Sequence, residues 1–185
     1  MPGLENFVTV EWNGIPLHVF DNHNFALGFW LEAYANGELP KGFRVIHVDM
    51  HSDLWKNGFD LDLESAHDVR YVEDFVNFKT EVGNYVDPAI RSGLVGEFVK
   101  IEGEGELVSA LERLESGGFD DGIPTVLNLD LDFFAPDLDY APFGLKKRAV
   151  LEFAKKSRMV TVATSPGFVD GGLALEVFSR LFRDS

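Results

Sequence analysis

The sequence predicts an α/β fold built around a largely parallel β-sheet. Short apolar segments typical of buried strands alternate with longer segments whose apolar residues recur at helical spacing. Strands that alternate with helices in this way form parallel sheets covered by helices. Two of the apolar segments also end in closely spaced acidic residues, and such sheets bind their ligands at the carboxyl ends of the strands.

The first part of the chain is predicted to form a hairpin followed by a helix. Residues 7–20 read as two strands that turn at Asn13-Gly14, a dipeptide favoured in two-residue hairpin loops. Asn24 is placed to cap the helix, which ends near Gly37. The apolar positions of this helix are Leu27, Trp30, Leu31 and Tyr34.

The rest of the chain continues the alternation of strands and helices. The predicted strands cover residues 43–49, 97–101, 124–131 and 158–163. The predicted helices cover residues 67–79, 84–93, 106–116, 144–156 and 171–183. No internal repeat, low-complexity segment or linker interrupts this pattern, so residues 1–185 are predicted to form a single domain.

The composition favours cationic partners. The chain has 31 acidic and 16 basic residues, a formal net charge of −15, which argues against nucleic acid and anionic membrane surfaces as partners. The same charge also serves solubility. The chain has no cysteine, which excludes disulfides and thiolate metal sites. The start, MPGLENFV, lacks the features of a signal peptide, and no apolar run is long enough for a membrane helix. These features predict a cytoplasmic protein.

The segment VIHVDMHSDL, residues 45–54, suggests a metal site. Asp49, His51 and Asp53 occupy alternate positions, and in an extended chain their side chains would lie on one side. A single Asp at a strand end commonly caps a turn or helix. Two carboxylates and an imidazole after an apolar strand are a more specific pattern for metal binding.

A second strand ends in the same way. In VLNLDLDFFAPD, residues 126–137, Asp130 and Asp132 follow apolar strand residues. If the two strands are neighbours, Asp49, Asp53 and these two carboxylates converge in one cleft, where they repel each other and take up protons. Two divalent cations would neutralise the four charges, so the sequence predicts a site for two metal ions.

His23 extends the predicted ligand set. It lies in FDNHNFA, between a strand and the start of a helix, where loops often carry functional residues. Two imidazoles and four carboxylates suit Mn²⁺, although Fe²⁺, Co²⁺ or Zn²⁺ could enter the same site. Two such metals can activate water and polarise an electrophile. His18 and His47 lie inside predicted strands and are interpreted as structural residues.

The segments that carry these residues resemble a known superfamily. DNHNFA, HVDMHSDL, NLDLDFF and ATSPGF look like the motifs of the arginase/deacetylase superfamily, on its arginase side. The chain is similar to the small arginase-like family that includes the peptide arginases, most clearly over residues 20–54 and 126–168. The resemblance implies a three-layer α/β/α fold and hydrolysis of a guanidino group to urea, with arginine becoming ornithine.

The resemblance also implies roles for the metal ligands. By motif, Asp49 and Asp130 would bridge both metals. His23 and Asp53 would complete one metal site, and His51 and Asp132 the other. The deacetylase pattern binds one Zn²⁺ with fewer ligands, so the additional residues favour the binuclear version.

Candidates for proton transfer and substrate binding follow from spacing. His67 lies 14 residues after Asp53, close to the position where arginases carry a proton-shuttle histidine. Guanidinium binding needs a carboxylate that can accept two hydrogen bonds. Asp170, which follows the strand 158–163, is the best candidate for this role, with Glu176 and Glu81 as alternatives.

One departure from the family pattern bears on the substrate. Classical arginases hold the α-groups of free arginine with an Asn two residues after the DxHxD motif, and here that position is Trp55. We therefore expect a cationic arginine-containing peptide, or another guanidino compound, as substrate. The alternatives are a deacetylase-type amide hydrolase and a non-catalytic metal-binding module. The oligomeric state is left open.

Overall fold

The computed structural model describes residues 7–136 and 141–183. Within these residues the chain forms an α/β fold with a six-stranded sheet in the order β1-β2-β6-β5-β3-β4. The strands are β1 (Val8–Trp12), β2 (Ile15–Phe20), β3 (Phe43–Val48), β4 (Val95–Ile101), β5 (Thr125–Asp130) and β6 (Met159–Ala163). The β1–β2 hairpin is antiparallel and every other strand pair is parallel, as predicted.

Helices cover both faces of the sheet. They are α1 (Phe25–Ala35), α2 (Val69–Phe78), α3 (Val86–Arg91), α4 (Glu104–Glu115), α5 (Phe143–Lys156) and α6 (Gly171–Phe182). Alternate residues of the central strands enter two different cores. Val45 and Val126 pack with α1, α2 and α3, whereas Ile46 and Leu127 pack with α4, α5 and α6. The result is the three-layer α/β/α arrangement.

The predicted hairpin and first helix are present. Asn13 and Gly14 have the positive φ angles, 51° and 79°, that a tight hairpin turn requires. Asn24 occupies the N-cap position of α1, but the prediction that its side chain caps the helix is wrong. Its amide instead donates to the carbonyl of Val76, 3.0 Å away, because the side chain is buried between α1 and α2.

The strand order brings several loops to one edge of the sheet. β3 lies beside β5, β5 beside β6, and β6 beside β2. The carboxyl ends of these parallel strands therefore meet, and the residues that follow them become neighbours. The two strands that end in acidic residues, β3 and β5, are neighbours, which is the condition for their carboxylates to converge. Among the described residues, no helix combines the length and apolar character needed to cross a bilayer.

Candidate metal centre

His23 is surrounded by three carboxylates. Its Nδ1 atom lies 2.8 Å from Oδ2 of Asp49, 3.1 Å from Oδ2 of Asp53 and 3.3 Å from Oδ2 of Asp130. The four side chains come from the loop after β2, the loop after β3 and the end of β5. Each of these residues is at most 6% exposed, so the group is closed off from bulk water.

His51 and Asp132 continue the cluster towards the surface. Nδ1 of His51 lies 3.0 Å from Oδ2 of Asp132 and 3.4 Å from Oδ1 of Asp49. Asp132 is buried, whereas the His51 side chain is 49% exposed. All six side chains predicted from the sequence as metal ligands thus lie in one connected cluster.

The backbone arranges the two acidic motifs in the same way. Oδ1 of Asp49 accepts a hydrogen bond from the backbone nitrogen of His51 at 2.6 Å. Oδ1 of Asp130 accepts one from the backbone nitrogen of Asp132 at 2.9 Å. In each motif the first carboxylate holds the turn that follows, and its second oxygen contacts His23.

The local conformation differs from the extended chain that the spacing suggested. β3 ends at Val48, and Asp53 has a φ angle of +53°, in the left-handed region that side chains disfavour. The side chains of Asp49, His51 and Asp53 therefore converge through a folded loop and not through strand alternation. A strained residue at a functional cluster is a common feature of binding sites.

Several polar atoms of the cluster make no hydrogen bond of good geometry, although charged groups lie close to some of them. They are both ring nitrogens of His23, Oδ2 of Asp53 and Oδ2 of Asp132. Buried polar atoms are normally paired because an unpaired one costs free energy. Two groups have ligand atoms within 4.8 Å of one another, namely His23 with His47 and Asp49, and Asp49 with His51 and Asp132. The oxygen-rich donor set and its unpaired atoms fit divalent metal ions.

The cluster shifts the proton affinity of its members. Burial lowers the pKa of His23, but the three surrounding carboxylates more than offset it and raise the pKa well above its usual value. Burial, together with the charges of Asp130 and Asp49, raises the pKa of Asp132 to about 9. Burial alone would raise the pKa of Asp53, but the neighbouring His23 lowers it overall. Asp132 and His23 therefore favour their protonated forms, and a cation that binds there has to displace protons.

His47 lies beside the cluster as a hydrogen-bond donor. The Thr161 hydroxyl donates to Oδ1 of Asn128 at 2.7 Å, so the Asn128 amide nitrogen faces Nδ1 of His47 at 2.8 Å and the Tyr85 hydroxyl at 2.7 Å. Nδ1 of His47 therefore accepts, and Nε2 carries the proton and donates to the carbonyl of His51 at 3.0 Å. Burial lowers the pKa of His47, which keeps the ring neutral.

A cavity of about 410 Å³ opens above the cluster. Besides the cluster itself, its lining includes Trp55, Glu102, Ser165 and Phe168. The Ser165 hydroxyl donates to Oδ2 of Asp130. No lysine or arginine of the described part of the chain lines this cavity. The lining therefore offers carboxylates and aromatic rings to whatever enters.

The residues predicted for proton transfer and guanidinium binding lie elsewhere. His67 lines a separate cavity of about 200 Å³. Asp170 caps α6 by accepting hydrogen bonds from the backbone of Gly172 and Leu173. Glu176 is exposed on α6, 3.3 Å from Arg180, and Glu81 is exposed on a loop. The structure does not bring these four residues to the cavity above the cluster, and their roles stay predictions.

Glu102 is a cavity residue that the sequence analysis missed. It directly follows β4, the strand next to β3. Its position after the apolar segment EFVKI was a usable signal, but one Glu in a chain with 31 acidic residues has no distinctive pattern.

The chain matches no known protein-family profile, and no curated protein shows a significant sequence match. A crystal structure of a hypothetical agmatinase from Burkholderia thailandensis superimposes with a TM-score of 0.59 and 18% sequence identity. The match covers 89% of this chain and 56% of that protein, so the chain spans little more than half its length. At this identity the likeness establishes a shared fold.

Proposed function

We propose that this protein is a binuclear metal-dependent hydrolase that acts on a guanidino group. The observation that carries the proposal is the convergence of two histidines and four aspartates at one sheet edge, beneath a cavity and with unpaired buried atoms. A set of buried carboxylates of this kind needs cations to be stable. The fold shared with a hypothetical agmatinase supports the same reaction class.

In this proposal Asp49 and Asp130 would contribute to holding both metal ions. His23 and Asp53 would complete the site of one ion, and His51 and Asp132 that of the other. Asp49 supports the bridging role because its two oxygens face different histidines, Oδ2 towards His23 and Oδ1 towards His51. Mn²⁺ is the proposed metal because most of the donors are oxygens.

The reaction breaks one carbon–nitrogen bond of a guanidinium with water and yields an amine and urea. Guanidinium is a weak electrophile, and two bound metal ions would supply Lewis-acid chemistry that makes water reactive at neutral pH. Hydrogen bonds within the chain hold the proposed metal ligands in position. Ser165 holds Asp130, and the backbone nitrogens of His51 and Asp132 hold the two proposed bridging carboxylates. The oxygen of the water becomes the oxygen of urea, and its two protons end on the leaving nitrogen, so the amine departs as an ammonium group.

The preferred substrate in this proposal is arginine within a peptide. The cavity offers no described cation to pair with a free α-carboxylate. Trp55 occupies the position at which classical arginases hold the α-groups of free arginine. The net charge of −15 also attracts a cationic peptide more than a zwitterion with one net positive charge.

Urea release by the Mn²⁺-loaded protein tests the proposal. Free arginine, agmatine and a blocked peptide with an internal arginine are compared at equal concentration, and we expect the highest kcat/KM with the peptide. Asp130→Asn should abolish activity, whereas the matched surface variant Asp120→Asn should retain it, since Asp120 is exposed and pairs with Lys156 at the surface. A higher kcat/KM on free arginine would remove the peptide preference alone. No urea from any substrate, with two metals bound, would favour an amide hydrolase.

A further inference from the structure

We propose that Tyr85 is a positioning residue that fixes the His23 imidazole for binding one of the two metal ions. This inference deepens the proposed function and rests on it for the metal-binding role of His23. Tyr85 occupies the N-cap position of α3, and the sequence analysis did not select it. Its role follows from the groups that surround the His23 ring.

The Nε2 side of the His23 ring lacks the hydrogen bond that usually orients a metal-binding histidine. Such a histidine binds the metal through one ring nitrogen and donates a hydrogen bond from the other, which sets the angle of the ring. In His23, Nδ1 faces the carboxylates of Asp49, Asp53 and Asp130. Nε2 is buried and has no hydrogen-bond partner among the described residues. Packing must therefore set the orientation of this ring.

Two buried rings pack against His23. The Tyr85 ring lies 5.3 Å from the His23 ring, measured between centroids, at an interplanar angle of 46°. The His47 ring lies at the same distance and is stacked at 15°. Tyr85 also packs against Trp30, with centroids 5.8 Å apart, and Trp30 belongs to α1, the helix that follows His23. Tyr85 thus contacts both the proposed ligand and the helix that begins just after it.

The amide nitrogen of Asn128 holds both of these rings. It donates to the Tyr85 hydroxyl at 2.7 Å and to Nδ1 of His47 at 2.8 Å. The hydrogen bonds through His47 continue to the carbonyl of His51, whereas Tyr85 meets the cluster at the His23 ring. His51 and His23 belong to different proposed metal sites. Loss of the Tyr85 ring leaves the bonds through His47 in place, so its effect should fall on the ion that His23 holds.

Variants with a single metal site separate the two ions. Asp132→Ala should keep only the ion held by His23 and Asp53. Asp53→Ala should keep only the ion held by His51 and Asp132. Calorimetric titration of each variant with Mn²⁺ gives the Kd of one site, and Tyr85→Leu is then added to each background.

We expect Tyr85→Leu to weaken Mn²⁺ binding by roughly 10- to 100-fold in the Asp132→Ala background and to leave it unchanged in the Asp53→Ala background. Tyr85→Phe keeps the ring and should recover most of the lost affinity. Phe43→Leu is the matched control in the Asp132→Ala background and should leave its Mn²⁺ affinity unchanged. Phe43 is a fully buried aromatic residue of the same core, but it lies at the opposite end of β3 from the metal cluster.

A spectroscopic measurement distinguishes positioning from a general loss of stability. The visible absorption of bound Co²⁺ depends on the geometry of its ligands. In the Asp132→Ala background, Tyr85→Leu should change this absorption and Phe43→Leu should not. If Tyr85→Leu does not fold, Tyr85→Met, whose flexible side chain fills core space, is measured in its place with the same expected results.

Three results would overturn the positioning role. They are an unchanged Kd for Tyr85→Leu in the Asp132→Ala background, equal weakening in both backgrounds, and Mn²⁺ binding that survives His23→Ala in the Asp132→Ala background. The outcome is separable from that of the proposed function, because it is measured as metal binding. If the wild type releases no urea yet Tyr85→Leu weakens only the site of His23, the reaction is wrong and the positioning role stands.

Discussion

The amide nitrogen of Asn128 lies 2.8 Å from Nδ1 of His47, and this contact decides which ring nitrogen of His47 carries the proton. Because Nδ1 accepts, Nε2 donates to the carbonyl of His51 and holds the loop that carries three of the proposed metal ligands. His47, Asn128 and Thr161 are each 0% exposed, so no water competes with the relay. This relay of hydrogen bonds, from Thr161 through Asn128 and His47 to the carbonyl of His51, positions the candidate metal centre from inside the sheet.

Asn128→Asp tests this relay. A carboxylate at this position accepts a hydrogen bond from Nδ1–H, so in the neutral ring the proton moves from Nε2 to Nδ1 and the bond to His51 is lost. We expect Mn²⁺ affinity to fall by roughly 10- to 100-fold, as for other residues that orient metal ligands. The measurement is calorimetric titration with Mn²⁺. Asn77→Asp is the control, because Asn77 is exposed on α2. Unchanged affinity in Asn128→Asp would contradict the relay.

Metal stoichiometry tests the ligand assignment. Titration of the metal-free protein with Mn²⁺ should give two sites per chain. Asp49→Ala and Asp130→Ala should each abolish both sites, since each carboxylate is proposed to bridge the ions, whereas Asp132→Ala should spare one. Asp120→Ala should keep both. One tight site at most in the wild type would contradict the binuclear proposal and favour a deacetylase-type centre.

Thermal stability should depend on the metal. Without cations the clustered carboxylates repel one another, and a ligand that binds only the native state raises the free energy of unfolding by about 2.7 kcal/mol at a hundredfold excess over Kd. The Tm should therefore be higher in Mn²⁺ than in EDTA. Asp130→Ala should show little of this difference. An unchanged wild-type Tm would count against a clustered metal site.

Metal binding should release protons. Burial and neighbouring carboxylates raise the pKa of Asp132 to about 9, so at neutral pH this group carries a proton that a metal must displace, and the raised pKa of His23 acts in the same direction. The apparent Mn²⁺ affinity should therefore rise as the pH increases towards about 9. Calorimetry at pH 7 in buffers of different ionisation enthalpy measures the number of protons released. A binding enthalpy that is independent of the buffer would refute this prediction.

The sequence predicted the sheet and the clustering of the proposed metal ligands because both leave local patterns. Apolar periodicity marks the strands and helices, and the paired acids mark the carboxyl ends of β3 and β5. The folded loop at Asp53 was not predictable, since the residue has a positive φ and contacts His23, which belongs to a loop distant in sequence. Nor did the sequence indicate that Asn24 would bond α2 in place of its own helix.

Roles that were assigned from sequence spacing alone were harder to predict than the metal ligands. Asp170 follows a strand as expected, yet it serves as the N-cap of α6. Glu102 was not selected because its place at the cavity comes from the β3–β4 register, which a single sequence does not specify. This part of the cavity is built by such long-range pairings, and short motifs do not encode them.

The order of strands in the sheet also sets when the site can form during synthesis. β2 pairs with β6, so Leu17 gains its partner Val160 only after β6 has been synthesised. The loop that follows β2 and carries His23 is held in place only then. Non-local parallel pairing of this kind has a high contact order and slows folding. A nascent chain in which β6 is not yet synthesised could already pair β3 with β5, but His23 would stay separate from Asp49 and Asp130. The complete set of proposed metal ligands would thus form only when β6 closes the sheet.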